Sequence, residues 1–258
     1  MTDYRGQDLS ESRFDDVSLE RATFHDVTFR GARFRLVDLS EAVVRGALLV
    51  DVEISGELEN VRINGVDVVP LVEAELDRRH PERPLMRPVD AAGFRAAWEV
   101  LERLWPQTID RARALPPALL HERVDDEWSF IETLRHLVFV TDTWLARAVL
   151  GDPSPWSPLD LPHDEMAVDL TVPRDRTVRP SLDEVLVLLD DRRSMVRTFL
   201  ATLTDAQLAG DTGFTLEPGY PEPVSYPVRR CLQAVVTEEW EHRLIAERDL
   251  ATLVARTP

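Results

Sequence analysis

Glu238-Glu239-Trp240-Glu241-His242 lies in a segment, about 226–254, whose apolar residues recur with helical spacing. Cys231, Val235, Glu238, His242, Ile245 and Asp249 follow i, i+4, i+7, i+11, i+14 and i+18, one stripe of one helix. Glu238 and His242 are therefore neighbours on that stripe, about 6 Å apart along the axis. On a surface helix such a pair contributes only a few tenths of a kcal/mol. Inside a core stripe a carboxylate is rare unless it is paired or coordinated. A carboxylate and an imidazole stacked this way can close on one divalent metal, with a third ligand from elsewhere in the chain. His136 is the candidate. It stands in Leu134-Arg135-His136-Leu137-Val138-Phe139-Val140, where apolar residues cover nearly every direction around a helix axis. That pattern predicts a buried segment, although a lone buried histidine is also an ordinary hydrogen-bonded core residue.

Helical periodicity extends over four segments, about 90–115, 127–150, 181–204 and 226–254. Asp90 and Ser181 are predicted N-caps, and Gly151-Asp152-Pro153 is a firm stop. Pro106 should kink or split the first helix. Helices of this number and length predict a four-helix bundle, with ligand sites built from facing side chains in its core.

Upstream the period changes. Large apolar residues fall every fifth position at Tyr4, Leu9, Phe14, Leu19, Phe24, Phe29, Phe34, Leu39, Val44, Leu49 and Ile54. A small or β-branched residue, such as Ala22, Val27 or Ala32, stands two places before most of them. After a one-residue slip the beat resumes at Leu58, Ile63 and Val68. Neither a helix nor a flat strand has this period. The pattern resembles the pentapeptide-repeat family over residues 4 to about 68. The resemblance implies a right-handed quadrilateral β-helix in which the large residue and the small one both point inward. Solenoid ends need capping, and Pro70-Leu71-Val72-Glu73-Ala74-Glu75-Leu76 reads as a short capping helix. Residues 77–88, with three prolines and four arginines, read as a linker; His80 within it is given no role. The expected organisation is thus β followed by α: a repeat domain over 1–76, a linker over 77–88 and a helical domain over 89–258. Some members of the repeat family mimic DNA, which the acidity fits. The plainer expectation for so short a rod is a docking wall or scaffold.

In the helical part, Trp128-Ser129, Glu132, His136-Leu137 and the final Glu-x-x-x-His together resemble the DinB/YfiT-like four-helix family from about 90 to 256. Most members are understood to hold a divalent metal with three histidines. Here Glu238 replaces the first histidine of the last pair, as in the mycothiol-dependent maleylpyruvate isomerase branch. The resemblance implies the ligands His136, Glu238 and His242. Two imidazoles and a carboxylate suit zinc and leave a coordination position open; nickel or ferrous iron could take the same set. An open site of this kind lowers the pKa of a bound thiol or water. The function implied is a transferase or isomerase that activates a low-molecular-weight thiol, mycothiol or a relative, against a small electrophile. A non-catalytic metal-binding and interaction module is the alternative. Glu132 and Glu239 could orient the ligands from a second sphere. Glu239-x-x-His242 raises a di-metal site, but the second Glu-x-x-His it needs is missing. Trp144 reads as core and Arg147 as a surface charge. His163, in the proline-rich connection 151–180, is a weak acid–base candidate on a long loop of the kind that often forms lids. Cys231 is about two turns from Glu238, too far to coordinate; His25 and His121 read as surface.

The net charge of −17, from 30 Lys plus Arg against 47 Asp plus Glu, argues against nucleic acid or an anionic membrane as partner. The partners expected are a small-molecule substrate and a second copy or another protein through the repeat domain. A single cysteine excludes an intrachain disulfide framework. The opening residues Met1-Thr2-Asp3-Tyr4-Arg5-Gly6-Gln7-Asp8 hold no signal-type apolar run, and no stretch approaches the roughly 20 apolar residues of a membrane span. A cytoplasmic location is the expectation. No phosphate-cradling glycine loop appears among the 10 glycines.

Overall fold

A computed structural model of the chain describes residues 4–256 apart from 165, 167, 168, 170 and 214–219. It divides into two compact units, Met1–Glu57 and Leu58–Pro258.

In the first unit the five-residue beat is written into the backbone. The chain enters the left-handed region once per repeat, always two residues after the large apolar one, as at Glu11, Asp16, Arg21, Asp26, Gly31 and Leu36. Gly, Asp and Asn take that conformation cheaply, whereas leucine does not. Leu36, at φ 52°, is strained, as are Glu11, Arg21 and Glu41. Turn hydrogen bonds recur every ten residues: Ala22 N–H to the Leu19 carbonyl at 2.9 Å, Ala32 to Phe29 at 2.9 Å and Ala42 to Leu39 at 3.0 Å. The sequence repeats every five residues but the hydrogen bonding every ten, so two kinds of corner alternate. Successive large residues meet: Phe29 lies 5.4 Å from Phe24 and 5.6 Å from Phe34, edge to face. The inward burial implied by the family resemblance is not found. From Leu9 to Ile54 the beat residues stay 44–75% exposed; the hydrogen bonds described in this unit are local, and among its described residues no strand pairs one coil with the next.

The second unit opens with a hairpin, β1 (Arg62–Ile63) and β2 (Val66–Asp67), paired Arg62 to Asp67 and Ile63 to Val66. Its turn is Asn64-Gly65, both at positive φ, the pairing a tight hairpin demands. Helix α1 (Val69–Arg79) follows, then a 3₁₀ turn at Arg83–Met86. The expected linker is in fact fixed. Arg83 and Arg87 both reach Glu73 and Asp77 of α1. Met86 is buried, and its carbonyl accepts the Gln233 amide at 2.8 Å. The division therefore falls at Glu57, upstream of 77–88. The arginines that suggested a solvated tether are spent on α1 carboxylates.

The long helices are α2 (Ala91–Arg113), α3 (Phe130–Thr141), which runs on as a π-helical segment Asp142–Val149, then α4 (Leu182–Thr202), and, after the short α5 (Asp205–Leu208), α6 (Val228–Arg256). Asp90 caps α2 by accepting the Gly93 N–H at 2.7 Å. Helix α2 runs unbroken past Pro106 rather than splitting there. Ser129 with Glu132, and Ser181 with Glu184, form reciprocal capping boxes that start α3 and α4. Every residue of α3 is buried, as its all-round apolarity predicts, because α4 and α6 both pack on it. Leu150 N–H reaches back five residues to the Leu145 carbonyl at 2.9 Å, and Gly151 ends the segment at φ 78°. Each fully buried Leu, Phe or Val of this core stabilises by about 1.5–3 kcal/mol. No described helix is long and apolar enough to cross a membrane.

Candidate metal centre

Helices α3 and α6 bring His136, Glu238 and His242 together, with one ligand atom from each lying within 4.8 Å of the others. Glu238 Oε2 is 3.0 Å from His242 Nε2 and 3.6 Å from His136 Nε2. The set is open on one side: the His136 side chain is 6% exposed, that of His242 19% and that of Glu238 37%. His136 Nδ1 is 2.9 Å from the Leu161 carbonyl, which can only accept, so Nδ1 carries the proton. The Nε2 lone pair then points at Glu238, the tautomer a metal ligand needs. Trp128 stacks on His242 at 5.8 Å and 8°, and its ring centroid lies 4.5 Å from that of His136.

Burial pushes the His136 imidazole below its ordinary value, against the pull of the nearby Glu238 carboxylate, which favours the neutral form that can coordinate. Burial works to raise Glu238, but the neighbouring imidazoles His136 and His242 outweigh it and hold the carboxyl far below the usual range. A neutral enclosed imidazole, a second imidazole and a permanent carboxylate around one gap match the nitrogen–oxygen donor set of a three-ligand divalent site.

The two flanking carboxylates are engaged elsewhere. Glu132 accepts from Arg123 at 2.7 and 3.1 Å and from the Ser129 backbone at 2.9 Å. Glu239 accepts from Arg193 at 3.2 and 2.8 Å. Their arginines are the reason that neither carboxylate is the group that orients His136; a backbone carbonyl of the 151–180 connection is.

That connection is tied down by arginines. Arg135 donates to the Leu159 and Asp175 carbonyls at 2.7 and 2.6 Å, Arg192 to Pro155 at 3.2 Å and Arg176 to Pro162 at 3.2 Å. Arg147 is buried, not a surface charge, and donates to the Pro153 carbonyl. Trp156 of the connection stacks on Phe139, and Tyr220 stacks on the same ring, each at 5.8 Å. His163 Nε2 is 3.4 Å from the Tyr220 hydroxyl, and Trp144 is half-buried against Tyr220. Burial, then the charge of Glu238, raises the Tyr220 phenol above its ordinary value. Cys231 is buried and pushed up to about 11 by burial, too basic to act as a thiolate. His25 is exposed, whereas His121 is partly buried at the end of a 3₁₀ turn.

The Leu161 carbonyl, Trp156 and Tyr220 were not legible in the sequence. A backbone carbonyl carries no residue signal, and the two aromatics lie in irregular segments without periodicity. Arg135, a second charge inside a fully buried helix, was the visible sign that something is anchored there.

A family model described as the DinB superfamily matches residues 100–246. A second, described as pentapeptide repeats (9 copies), matches residues 5–53. No curated protein and no solved structure matches the chain.

Proposed function

The chain belongs to the DinB superfamily and carries pentapeptide repeats at its N-terminal end, and from that premise we propose that it is a divalent-metal-dependent enzyme. The observation that carries the reading is the convergence of His136, Glu238 and His242 within 4.8 Å. The repeats imply a β-helix, which we take to be of the right-handed quadrilateral kind, and the helical part is taken as a four-helix bundle. Zinc is the favoured metal, with nickel or ferrous iron as substitutes. When bound, it would supply Lewis acidity to a low-molecular-weight thiol such as mycothiol. His136, held by Leu161, fixes one donor at the closed end. Glu238 supplies the negative charge that offsets part of the cation's. The more exposed Glu238 and His242 mark the side from which thiol and electrophile would enter. Trp128 shields the outer face of His242 from water. The reaction would be transfer of the thiol to a small electrophile, or an isomerisation through a thiol adduct, in the cytoplasm.

A second reading is a non-catalytic metal-binding module that docks a partner or a second copy through the repeats. It is favoured by the exposure of the repeat's large apolar residues, Phe14 at 62% and Phe34 at 61% among them. Incubation of zinc-loaded protein with a small thiol and a chromogenic aryl electrophile separates the two. Metal-dependent thioether formation, lost in His242→Ala, supports the enzyme. A loaded protein that binds zinc but leaves thiol consumption at the uncatalysed rate, across thiols of the cysteinyl-glycoside, glutathione and cysteine types, supports the module.

A further inference from the structure

Asp160, on the 151–180 connection, and Asp142, at the start of the π-helical segment, are both completely buried. Arg192 of α4 grips Asp142 through two hydrogen bonds, 2.6 and 2.9 Å. Asp160 Oδ2 accepts the Ser157 backbone N–H at 3.2 Å, and Asp160 N–H returns to the Ser157 carbonyl at 3.0 Å. Asp160 Oδ1 is enclosed and has no donor among the described residues; the Asp160 carboxyl lies within hydrogen-bonding reach of the Asp142 side chain. A bare carboxylate oxygen beside a second carboxylate is unfavourable twice over, through desolvation and through repulsion. One proton on Oδ1 removes both problems, because the acid O–H then donates to Asp142. Burial first, then the charge of Asp142, pushes Asp160 up to about 9. Burial also raises Asp142, but the Arg192 fork keeps it the charged partner. Among the described residues the other charges facing the pair are Asp152, Asp191 through Arg192, and Arg135 of α3, which interacts with Asp160 and donates to the adjacent Leu159 carbonyl.

The residue after Asp160 is Leu161, whose carbonyl holds His136 Nδ1 at 2.9 Å. Whatever pins Asp160 pins that carbonyl, one peptide unit away. We propose that Asp160 is a positioning residue for the metal centre: as a neutral acid it bonds Asp142, fixes the Ser157–Leu161 turn and keeps the Leu161 carbonyl on His136. The proposal rests on the reading of His136 as a metal ligand.

The test compares wild type, Asp160→Asn and Asp160→Ala. Zinc affinity is read at pH 7 by competition with a chelator. Hydrogen exchange across residues 156–163 of the metal-free proteins is read at pH 7 and 10, corrected for intrinsic rates. The asparagine amide replaces the acid O–H as donor to Asp142, so Asp160→Asn keeps wild-type affinity and protection at both pH values. Asp160→Ala weakens zinc about tenfold or more, the scale of lost ligand support, and speeds exchange in the turn. Wild type loses protection there at pH 10, where Asp160 ionises. Asp160→Ala with wild-type affinity and exchange, or Asp160→Asn as impaired as Asp160→Ala, overturns the proposal. Should Asp160→Ala misfold by circular dichroism, the pH comparison of wild type with Asp160→Asn decides alone. Should wild type hold no zinc, the metal reading falls, and the exchange arm still judges the latch: equal exchange in wild type and Asp160→Asn at pH 10 refutes it.

Discussion

Arg193→Leu is expected to be among the most destabilising single changes in the helical unit. Arg193 is 8% exposed and Glu239 1%, and the guanidinium bonds both carboxylate oxygens while lying 4.7 Å from the Trp105 ring centroid. The pair ties α4 to α6 beside Glu238. Removing the arginine leaves the Glu239 carboxylate enclosed and unpaired, which costs about 3–5 kcal/mol. The pair itself need not be stabilising, since both charges were taken out of water to make it. Arg193→Leu/Glu239→Leu should therefore recover most of the loss, because two apolar side chains incur no desolvation. Urea unfolding followed by tryptophan fluorescence measures this cleanly: all six tryptophans lie at position 98 or later, so the signal is blind to the repeats. A single variant losing under about 1 kcal/mol, the range of exposed pairs, would refute the reasoning, as would a double variant no more stable than the single one.

Glu238→Gln keeps the shape of the cluster but removes its only anionic donor, so zinc affinity should drop by at least about 100-fold, beyond the usual effect of a supporting residue; isothermal titration checks it. Because burial depresses His136 in the folded state, the unfolded chain binds the extra proton first. Stability of the metal-free protein is then fully present above the ordinary histidine value of 6.5 and lost as pH falls below it, by up to about 1.4 kcal/mol per pH unit. His136→Gln should flatten urea midpoints between pH 6.5 and 5. Leu36→Gly relieves a left-handed leucine, worth about 1 kcal/mol, and should slow hydrogen exchange across the neighbouring repeats of the intact chain; unchanged or faster exchange would count against the strain.

The sequence carried the helices well because their signals are local. Asp90 and Ser181 cap where expected, and the π-helical segment ends at Gly151, before Asp152-Pro153. The convergence of His136, Glu238 and His242 was legible for a different reason: polar residues inside otherwise apolar helices violate the pattern, and such violations mark candidate sites. What surrounds the trio was not legible. The support of His136 comes from a backbone carbonyl placed by a loop, and that loop is placed by Arg135, Arg147 and Arg192, whose partners are carbonyls with no sequence signature. The fate of Glu132 and Glu239 was hidden likewise, since nothing in spacing shows that Arg123 and Arg193 reach them. The linker misled because proline and arginine are also what a tightly bridged 3₁₀ turn uses.

Metal content of the purified chain, measured by elemental analysis without chelator for wild type and His242→Ala, tests the central claim most directly. The account predicts close to one equivalent of zinc, or of nickel or iron in its place, in wild type and its loss in the variant. A wild-type chain that carries no metal and takes up none from buffered zinc would make the Glu238–His242 pair a structural contact and remove the basis for the enzyme.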